Sequence, residues 1–566
     1  MVDPAKDTAA VLVGDIFSDE AAEAGLDFVH FNGMSGDYYM AEVTGAGVGL
    51  LDYDNDGDLD VYLLQGAMLG PGKTIDDAIL PPPGEPPFKD RLYRNDLGDL
   101  DIGDGRLSFT DVTEESGLEA TGYGMGVATG DFDGDGWVDL YVTNLGANQL
   151  WHNNGDDTFT DVTRGSGAGD ELWSVPAAFF DYDGDGRLDL FVGNYIAADF
   201  DNRTICRDLA GGLDYCGPGA FAPLADRLLR GMGDGSFEDV TEAAGLTGGF
   251  GGALGVIVAD FNGDSKPDIY VANDGMANNL WLNQGAGTFV DEALLAGCAL
   301  SGQGKAEASM GVDAADYDGD GDLDLFMTHL TGESNTLYLN DGSGLFEDAS
   351  VDSGLGPPSR LFTSFGTGWF DYDNDGLLDL LTVSGAVKKI ESQARAGDPL
   401  PLHLPNQLFR NLGGARFRDV SAEAGAVFEL SEVSRGTAFG DLDNDGDADA
   451  VIANNSGPVR LLVNHVGNRN HWLGVRLVGA ESLVDQLGAR VALVRPGGEV
   501  LWREVRTARG FASAHDPRVL FGLGEDEGYD FVRAHWPNGG VEEWRGLESG
   551  RYHTLRHGQG SRIESE

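Results

Sequence analysis

The sequence predicts an all-β protein, a seven-bladed β-propeller followed by a small β-sandwich-like domain. Three observations carry that expectation: a nine-residue acidic phrase that recurs seven times, strand-like segments flanking every copy, and a change of charge near residue 465. Repetition of this kind marks architectures in which each unit buries its apolar face against its neighbour.

Composition sets the frame. The 566 residues include 95 Asp plus Glu against 36 Lys plus Arg, a formal charge of −59, which argues against binding nucleic acid or anionic lipid because both would be repelled. With 41% hydrophobic and 9% aromatic residues the chain can still build cores, and its 86 glycines imply many turns between short strands. No run of about 18 apolar residues is present, so no integral membrane segment is expected. The start, Met1-Val-Asp-Pro-Ala-Lys, shows no basic segment followed by an apolar run, so no export signal is read there.

The elements follow in chain order. The segment DIFSDEAAEAGLDF, residues 15–28, resembles the closing segment FTDVTEESGLEA of the first full unit, and is expected to supply the outer strand that the last blade lacks. A linear solenoid is the structural alternative. The phrase then appears as DYDNDGDLD, DFDGDGWVD, DYDGDGRLD, DFNGDSKPD, DYDGDGDLD, DYDNDGLLD and DLDNDGDAD. A Gly-rich alternating segment such as GMGVATG precedes each copy, and an apolar run such as LYVTN or IYVAN follows. Elements of the form NQLWHN, NNLWLN, NTLYLN and NQLFRN come next, and a closing segment completes four short strands per unit. Insertions fall near residues 66–90, 196–226 and 386–405. Cys206 and Cys216 lie in the second of these, where they can pair or remain two thiols, and Cys298 is left over.

Carboxylates at positions 1, 3, 5 and 9 of each phrase can converge on one ion, while Gly at position 6 permits a sharp turn. The predicted ligands are Asp52, Asp54, Asp56 and Asp60; Asp131, Asp133, Asp135 and Asp139; Asp181, Asp183, Asp185 and Asp189; Asp260, Asn262, Asp264 and Asp268; Asp316, Asp318, Asp320 and Asp324; Asp371, Asp373, Asp375 and Asp379; and Asp441, Asp443, Asp445 and Asp449. Oxygen-only, multiply anionic ligation selects Ca²⁺, up to about seven ions. An EF-hand is excluded, since Leu63 and Val142 stand where a Glu would be needed and a strand replaces the exiting helix. Loop four, with Asn262, Ser265 in place of Gly, and Pro267, is expected to bind most weakly.

The seven phrases between a Gly-rich strand and a D-[LI]-[YF]-V strand resemble the FG-GAP or VCBS repeats of integrin-α-type propellers. The last hundred residues look like an ASPIC/UnbV domain, through NHWLGVRLVG at 470–479, LGARVALV at 487–494, REVRTARGFASAHDPRVLFGLG at 503–524 and VRAHWPNGGVEEW at 532–544. Together they are similar to bacterial relatives of cartilage acidic proteins, and YCGP at 215–218 fits that family. The resemblance implies an all-β fold, calcium and export to an extracellular or periplasmic location with any signal removed. It implies no reaction. Residues 1–464 are thus expected to form the propeller and 465–566 the β domain. The latter holds 13 Arg, no Lys and 14 acidic residues, so its arginines can dock on the acidic remainder or stay solvated.

If the acidic loops share one face, the second strands end on the other. Tyr123, Asn144, Trp173, Tyr195, Asp274, Lys305, Glu307, His329, Arg435 and Asn454 should then ring the far mouth of the channel, with the three insertions around them. The expected function is binding of a protein or carbohydrate on this far face. The alternative is an enzyme, a hydrolase, lyase or cyclase, using His329, Glu307 and Asp274 for proton transfer and Lys305 and Arg435 to hold an anion. No nucleophile elbow, HExxH or phosphate loop supports it, and the ten histidines form no metal-ligand cluster in sequence. His515 in AHDPR reads as structural, and the sequons at Asn202 and Asn454 receive no function.

Overall fold

The computed structural model describes residues 15–97, 106–200, 202–208, 211–480, 482–526, 528–537 and 539–563. The hexapeptide read for an export signal lies outside them. The protein is all-β with a few short helical turns. Among the described residues each of the seven repeat units has its own strands hydrogen-bonded antiparallel in sequence order, and the sheet of unit one is extended to six strands by Ala508–Arg509 and Ser513–Ala514, the latter pairing in parallel. In unit two, for example, Gly124–Gly130 is the inner strand, followed by Asp139–Asn144, Gly146–Asn153 and the outer Phe159–Asp161.

The seventh sheet is completed from the far end of the chain, as expected. Phe17–Asp19 pairs antiparallel with Arg460–Asn464, beside Asp449–Asn454 and Ser434–Gly440. Inner strands of consecutive units lie against one another, and Val48–Leu51 of unit one lies against both Gly124–Gly130 and Ser434–Gly440. Buried apolar clusters fill the spaces between neighbours: Tyr62, Leu64, Val127 and Val142 between units one and two, and Val61, Leu63, Val451 and Leu461 between units one and seven. Because inner strands are covered on both faces, they are buried along their whole length rather than alternating between buried and exposed residues.

A polar network accompanies these clusters. The ninth-position Asp of every loop accepts, through Oδ1, the backbone N–H of a residue at or near the end of the third strand, which is Asn95, Asn153, Gly231, Asn283, Asn340, Asn411 or Asn464. Each of these six Asn side chains donates to a carbonyl of its own loop and to one of the preceding unit. Asn153 reaches Tyr53 O at 2.8 Å, Asn283 reaches Tyr182, Asn340 reaches Phe261, Asn411 reaches Tyr317 and Asn464 reaches Tyr372. Asn95 of unit one bonds Leu442 O of unit seven at 2.9 Å, so the chain of links runs past the ends of the repeat. Only the link from unit three to unit two is missing, where Gly231 replaces Asn. A Cβ there would sit 2.3 Å from Leu188 O.

The C-terminal part forms two sheets. His471–Val478 lies between Val519–Gly524 and Tyr552–Arg556, and faces a five-stranded sheet that includes Arg490–Val494 and Phe531–His535. Between the sheets, residues 505–516 depart from them and enter the centre of the repeat units. Ala514 pairs with Gly49, Gly510 exchanges hydrogen bonds with Val312, and the Phe511 ring meets Phe365 edge-on. Gly47 permits this approach, since a Cβ there would lie 1.8 Å from Ala512 O. Several arginines of this part do contact the acidic units: Arg476 lies 3.4 Å from Asp52, Arg509 3.4 Å from Asp313, and Arg518 donates to Asp441 O and Asn444 Oδ1.

The opposite end of the centre is filled by residues 30–46. Tyr39 and Ala41 join Tyr123, Trp173, Tyr195 and Phe511 in one buried cluster. The insertions gather over this plug. Tyr215 donates to Glu42 Oε2, Lys388 and Lys389 donate to Tyr215 O and Leu213 O, and Arg203 and Lys73 pair with Asp37. Cys206 and Cys216 are disulfide-bonded, closing the short hairpin that presents Tyr215, and Cys298 is a buried free thiol.

Replacing Asn340 by Ala should strip two buried carbonyls, Phe261 O and Leu323 O, of their donor. A loss of about 1–3 kcal/mol is expected from urea unfolding. Asn154→Ala on the surface, with its side-chain bonds solvent-exposed, should stay within about 0.5 kcal/mol. Equal effects of the two substitutions would show that the inter-unit bonds carry little of the stability.

The acidic loops as a candidate metal centre

Each loop is shaped by its own carboxylates. In loop two, Asp131 accepts the N–H groups of Gly134, Asp135 and Gly136, Asp133 accepts that of Asp135, and Asp135 accepts that of Trp137. The same pattern recurs in loops three and seven. The turn needs left-handed backbone at two places. Position 6 has φ near +97° at Gly57, Gly136 and Gly321, and Ser265 of loop four is held at +63° without the freedom of glycine. Position 4 is also left-handed, from +51° to +82°, and the sequence places only Asn or Gly there. That restriction was visible in the seven phrases and went unread.

The predicted ligands converge in part. Atoms of Asp52, Asp54 and Asp56, of Asp131, Asp133 and Asp135, and of Asp316, Asp318 and Asp320 lie within 4.8 Å of one another, as do those of Asp181, Asp183 and Asp189. Position 9 carries a second duty. Asp60, Asp139, Asp189, Asp268, Asp379 and Asp449 accept the backbone N–H of position 2 through Oδ2, besides the Oδ1 bond to the third strand. In loop five this bond is absent. Asp324 Oδ2 and Asp316 Oδ2 are both buried without a hydrogen-bond partner, on residues 1% and 6% exposed. Carboxyl oxygens in that state are stabilised by a proton or by a cation, and an oxygen-only donor set of this kind fits a hard divalent ion.

Burial governs the protonation of the metal-free loops. It pushes Asp324 up to about 9, with repulsion from Asp318, Asp320 and Asp316 added, and Asp139, Asp189, Asp268 and Asp441 up to about 7. Asp443 and Asp447 rise to about 8 and 9 for the same reasons. Basic side chains offset charge in some loops: Arg230 lies 2.7 Å from Asp183, Arg410 2.6 Å from Asp373, and Lys266 2.6 Å from Asp264 in loop four. One histidine departs from the sequence expectation. His152 Nδ1 stands 3.3 Å from Asp139 and 3.4 Å from Asp133, and these three form a cluster with metal-ligand spacing. The signal was its place in NQLWHN, one residue before the Asn that closes the third strand.

At the far mouth the five proton-transfer and anion candidates are only partly together. His329 is buried, 3.9 Å from Glu307 and 3.3 Å from Ser309 Oγ, and desolvation pushes it down to about 4. Asp274 is buried and accepts the Tyr195 hydroxyl, while Lys305 is exposed. Arg435 lies apart, fully buried, donating to the carbonyls of Val43, Gly385, Ser434 and Ala386 over the Phe365 ring. Those bonds tie it to the plug and leave it closed to an anion. His515 is likewise structural, accepting the Phe439 N–H at Nδ1.

Repeated acidic loops between paired strands, and a C-terminal β module set over them, define a class, and comparison with known families identifies it. Residues 131–192, 215–271, 260–327 and 316–382 match the FG-GAP-like repeat, and residues 479–562 match ASPIC and UnbV. The chain belongs to the FG-GAP-repeat proteins that carry a C-terminal ASPIC/UnbV domain. It is similar to cartilage acidic protein 1 of Homo sapiens, 28% identical over 345 residues, covering 59% of this chain and 47% of that protein. The Mus musculus protein is 28% identical over 328 residues, covering 56% and 46%. The chain spans about half the length of the curated relatives it matches. A solved structure of an Agrocybe aegerita lectin, described as recognising non-reducing terminal N-acetylglucosamine, aligns at a TM-score of 0.36 and 15% identity over 73% of this chain and 87% of that one.

The raised carboxyl groups fix a sign. A carboxyl whose folded value exceeds the unfolded one, about 3.9, adds stability below the unfolded value and loses it as pH rises through the folded one. His152, pushed up to about 9 by the Asp139 carboxylate beside it, acts in the same direction. Buried His30 and His329, held low at about 3 and 4, oppose this only as pH falls below the unfolded histidine value. With metal chelated, the urea midpoint should therefore fall between pH 7 and pH 9. A flat or rising midpoint would mean that the loops are not desolvated as described.

Proposed function

We propose that this chain is a calcium-stabilised, extracellular or periplasmic seven-bladed propeller that binds a protein or carbohydrate on the face opposite its calcium loops. Residues 1–464 form the propeller and residues 465–566 a β domain clamped over the loop face. The cyclic succession of inner strands and the strand lent by residues 17–19 support seven blades. The Cys206–Cys216 disulfide supports an oxidising compartment. Among the described residues no helix is long and apolar enough to cross a membrane.

One observation carries the metal reading: the buried, unpartnered oxygens of Asp316 and Asp324 inside a loop whose sequence recurs seven times. Calcium would be held by the carboxylates at positions 1, 3, 5 and 9, with Asn262 replacing one in loop four. Bound ions neutralise loops that otherwise repel, and hold the blade ends in register. The ligand surface is then the cap over the far mouth, because residues 30–46 fill the channel itself. Ile79 and Ile205, 48% and 59% exposed, stand on two of the cap insertions and offer apolar contact.

The test is thermal unfolding of the chelated protein and of the same sample refilled with Ca²⁺, with bound calcium measured. A large rise in melting temperature with about six or seven ions is expected if the loops are structural sites. Indifference to chelation, with no calcium retained, would overturn the metal reading and leave the repeat fold.

A further inference from the structure

The residue immediately before the third-strand Asn, or before Gly231 in unit three, differs among units in a way that bears on the ion a loop could take. It is Arg94, Arg230 and Arg410 in units one, three and six, Leu282, Leu339 and Val463 in units four, five and seven, and His152 in unit two alone. From this position Arg230 and Arg410 reach the third-position carboxylates Asp183 and Asp373 at 2.7 and 2.6 Å. A side chain placed here is therefore delivered to the mouth of its loop.

In unit two that place holds an imidazole. His152 Nδ1 faces Asp133 Oδ2 at 3.4 Å and Asp139 Oδ1 at 3.3 Å, it is shielded from solvent, and it forms no hydrogen bond of normal geometry. The three donor atoms lie within 4.8 Å of one another, and Asp133 belongs equally to the converging set Asp131, Asp133 and Asp135. We propose that loop two is a mixed nitrogen–oxygen site for a borderline divalent transition cation of the Zn²⁺ and Co²⁺ class, with His152 Nδ1 as ligand beside Asp133 and Asp139.

The chemistry separates this loop from the other six. Calcium takes oxygen donors almost exclusively, whereas imidazole with two carboxylates is a common set for zinc and its neighbours. An arginine at the same place can only compensate charge, because guanidinium offers no lone pair. The inference deepens the metal reading of the loops, yet it does not require calcium in any of them.

The experiment titrates the full, chelator-stripped chain with Co²⁺ in excess Ca²⁺, following the visible absorption of cobalt and the bound metal content. One equivalent of Co²⁺ that Ca²⁺ does not displace is expected, and it should be lost in both His152→Arg and His152→Leu. Those variants copy residues that sibling units already carry on the same strand, and unchanged circular dichroism and melting temperature would verify their folding. Survival of the cobalt equivalent in the variants, or its absence from the parent protein, overturns the proposal and makes His152 a counter-ion like Arg230. Calcium content read on the same samples separates the two ideas. Cobalt bound through His152 without calcium elsewhere sinks only the calcium reading, and calcium bound without a His152-dependent cobalt equivalent sinks only this one.

Discussion

The ring of hydrogen bonds between the ninth-position aspartates and the third-strand asparagines is the constraint on which the rest of the molecule depends. Each Asp is fully or nearly fully buried, and each is bound on both sides by backbone N–H groups, except where loop five leaves one oxygen free. Each Asn then spans two units. Hydrophobic packing between sheets is non-directional and would tolerate sliding of one sheet over another. The Asn side chain does not tolerate it, because displacement leaves two carbonyls unpaired in a dry interior. Register between units, and hence the alignment of the acidic loops on one rim, follows from this residue type at every junction but that of units two and three, where Gly231 stands.

Closure of the centre from both sides decides where function can reside. Residues 505–516 enter from the loop face and residues 30–46 from the other, meeting in the cluster that contains Tyr39, Phe365 and Phe511. Side chains at the inner strand ends are consequently buried structural members. Two of them are matched to backbone groups, Arg435 to four carbonyls and Tyr123 to Asn32 O and Ala41 O. The accessible surface on this side is then the outside of the cap, where a disulfide holds a hairpin that a small loop could not otherwise order.

Much of this was legible in the sequence, for identifiable reasons. The repeated phrase fixed the strand boundaries, because Asp at position 9 begins a strand in every unit and Gly at position 6 must adopt positive φ. The outer strand of unit seven was readable because residues 15–28 resemble a closing segment that has no opening partner. The plugs were not readable. Residues 30–46 and 505–516 carry no periodicity, and their burial depends on Gly47, Gly126 and Gly436 leaving space where the chain comes back from hundreds of residues away. His152 was missed for a related reason, since its ligand spacing exists only across a hairpin and not along the chain.

Position 4 of the loops extends the argument to the asymmetry of the rim. Asn55, Asn374 and Asn444 each donate to the following loop, at Gly136 O, Gly446 O and Asp58, so loops six, seven, one and two are chained together. Loops two to five carry Gly at this place and lack that tie. The C-terminal domain lies over the chained part: Asn470 donates to Asp373 O, the N–H of Asn468 to Asp447, Arg518 to Asn444, and Arg476 faces Asp52. Loops six and seven are therefore largely buried while the tips of loops two to five remain exposed. Charge attraction in a low-dielectric setting is stronger than at an open surface, and the group left without a counter-charge there is the more costly one. Loop seven, with Asp441, Asp443, Asp445, Asp447 and Asp449 under the domain, is thus where the charge of a loop and the docking of the domain are physically coupled, whereas at loops two to five the carboxylates meet solvent and only their own blade.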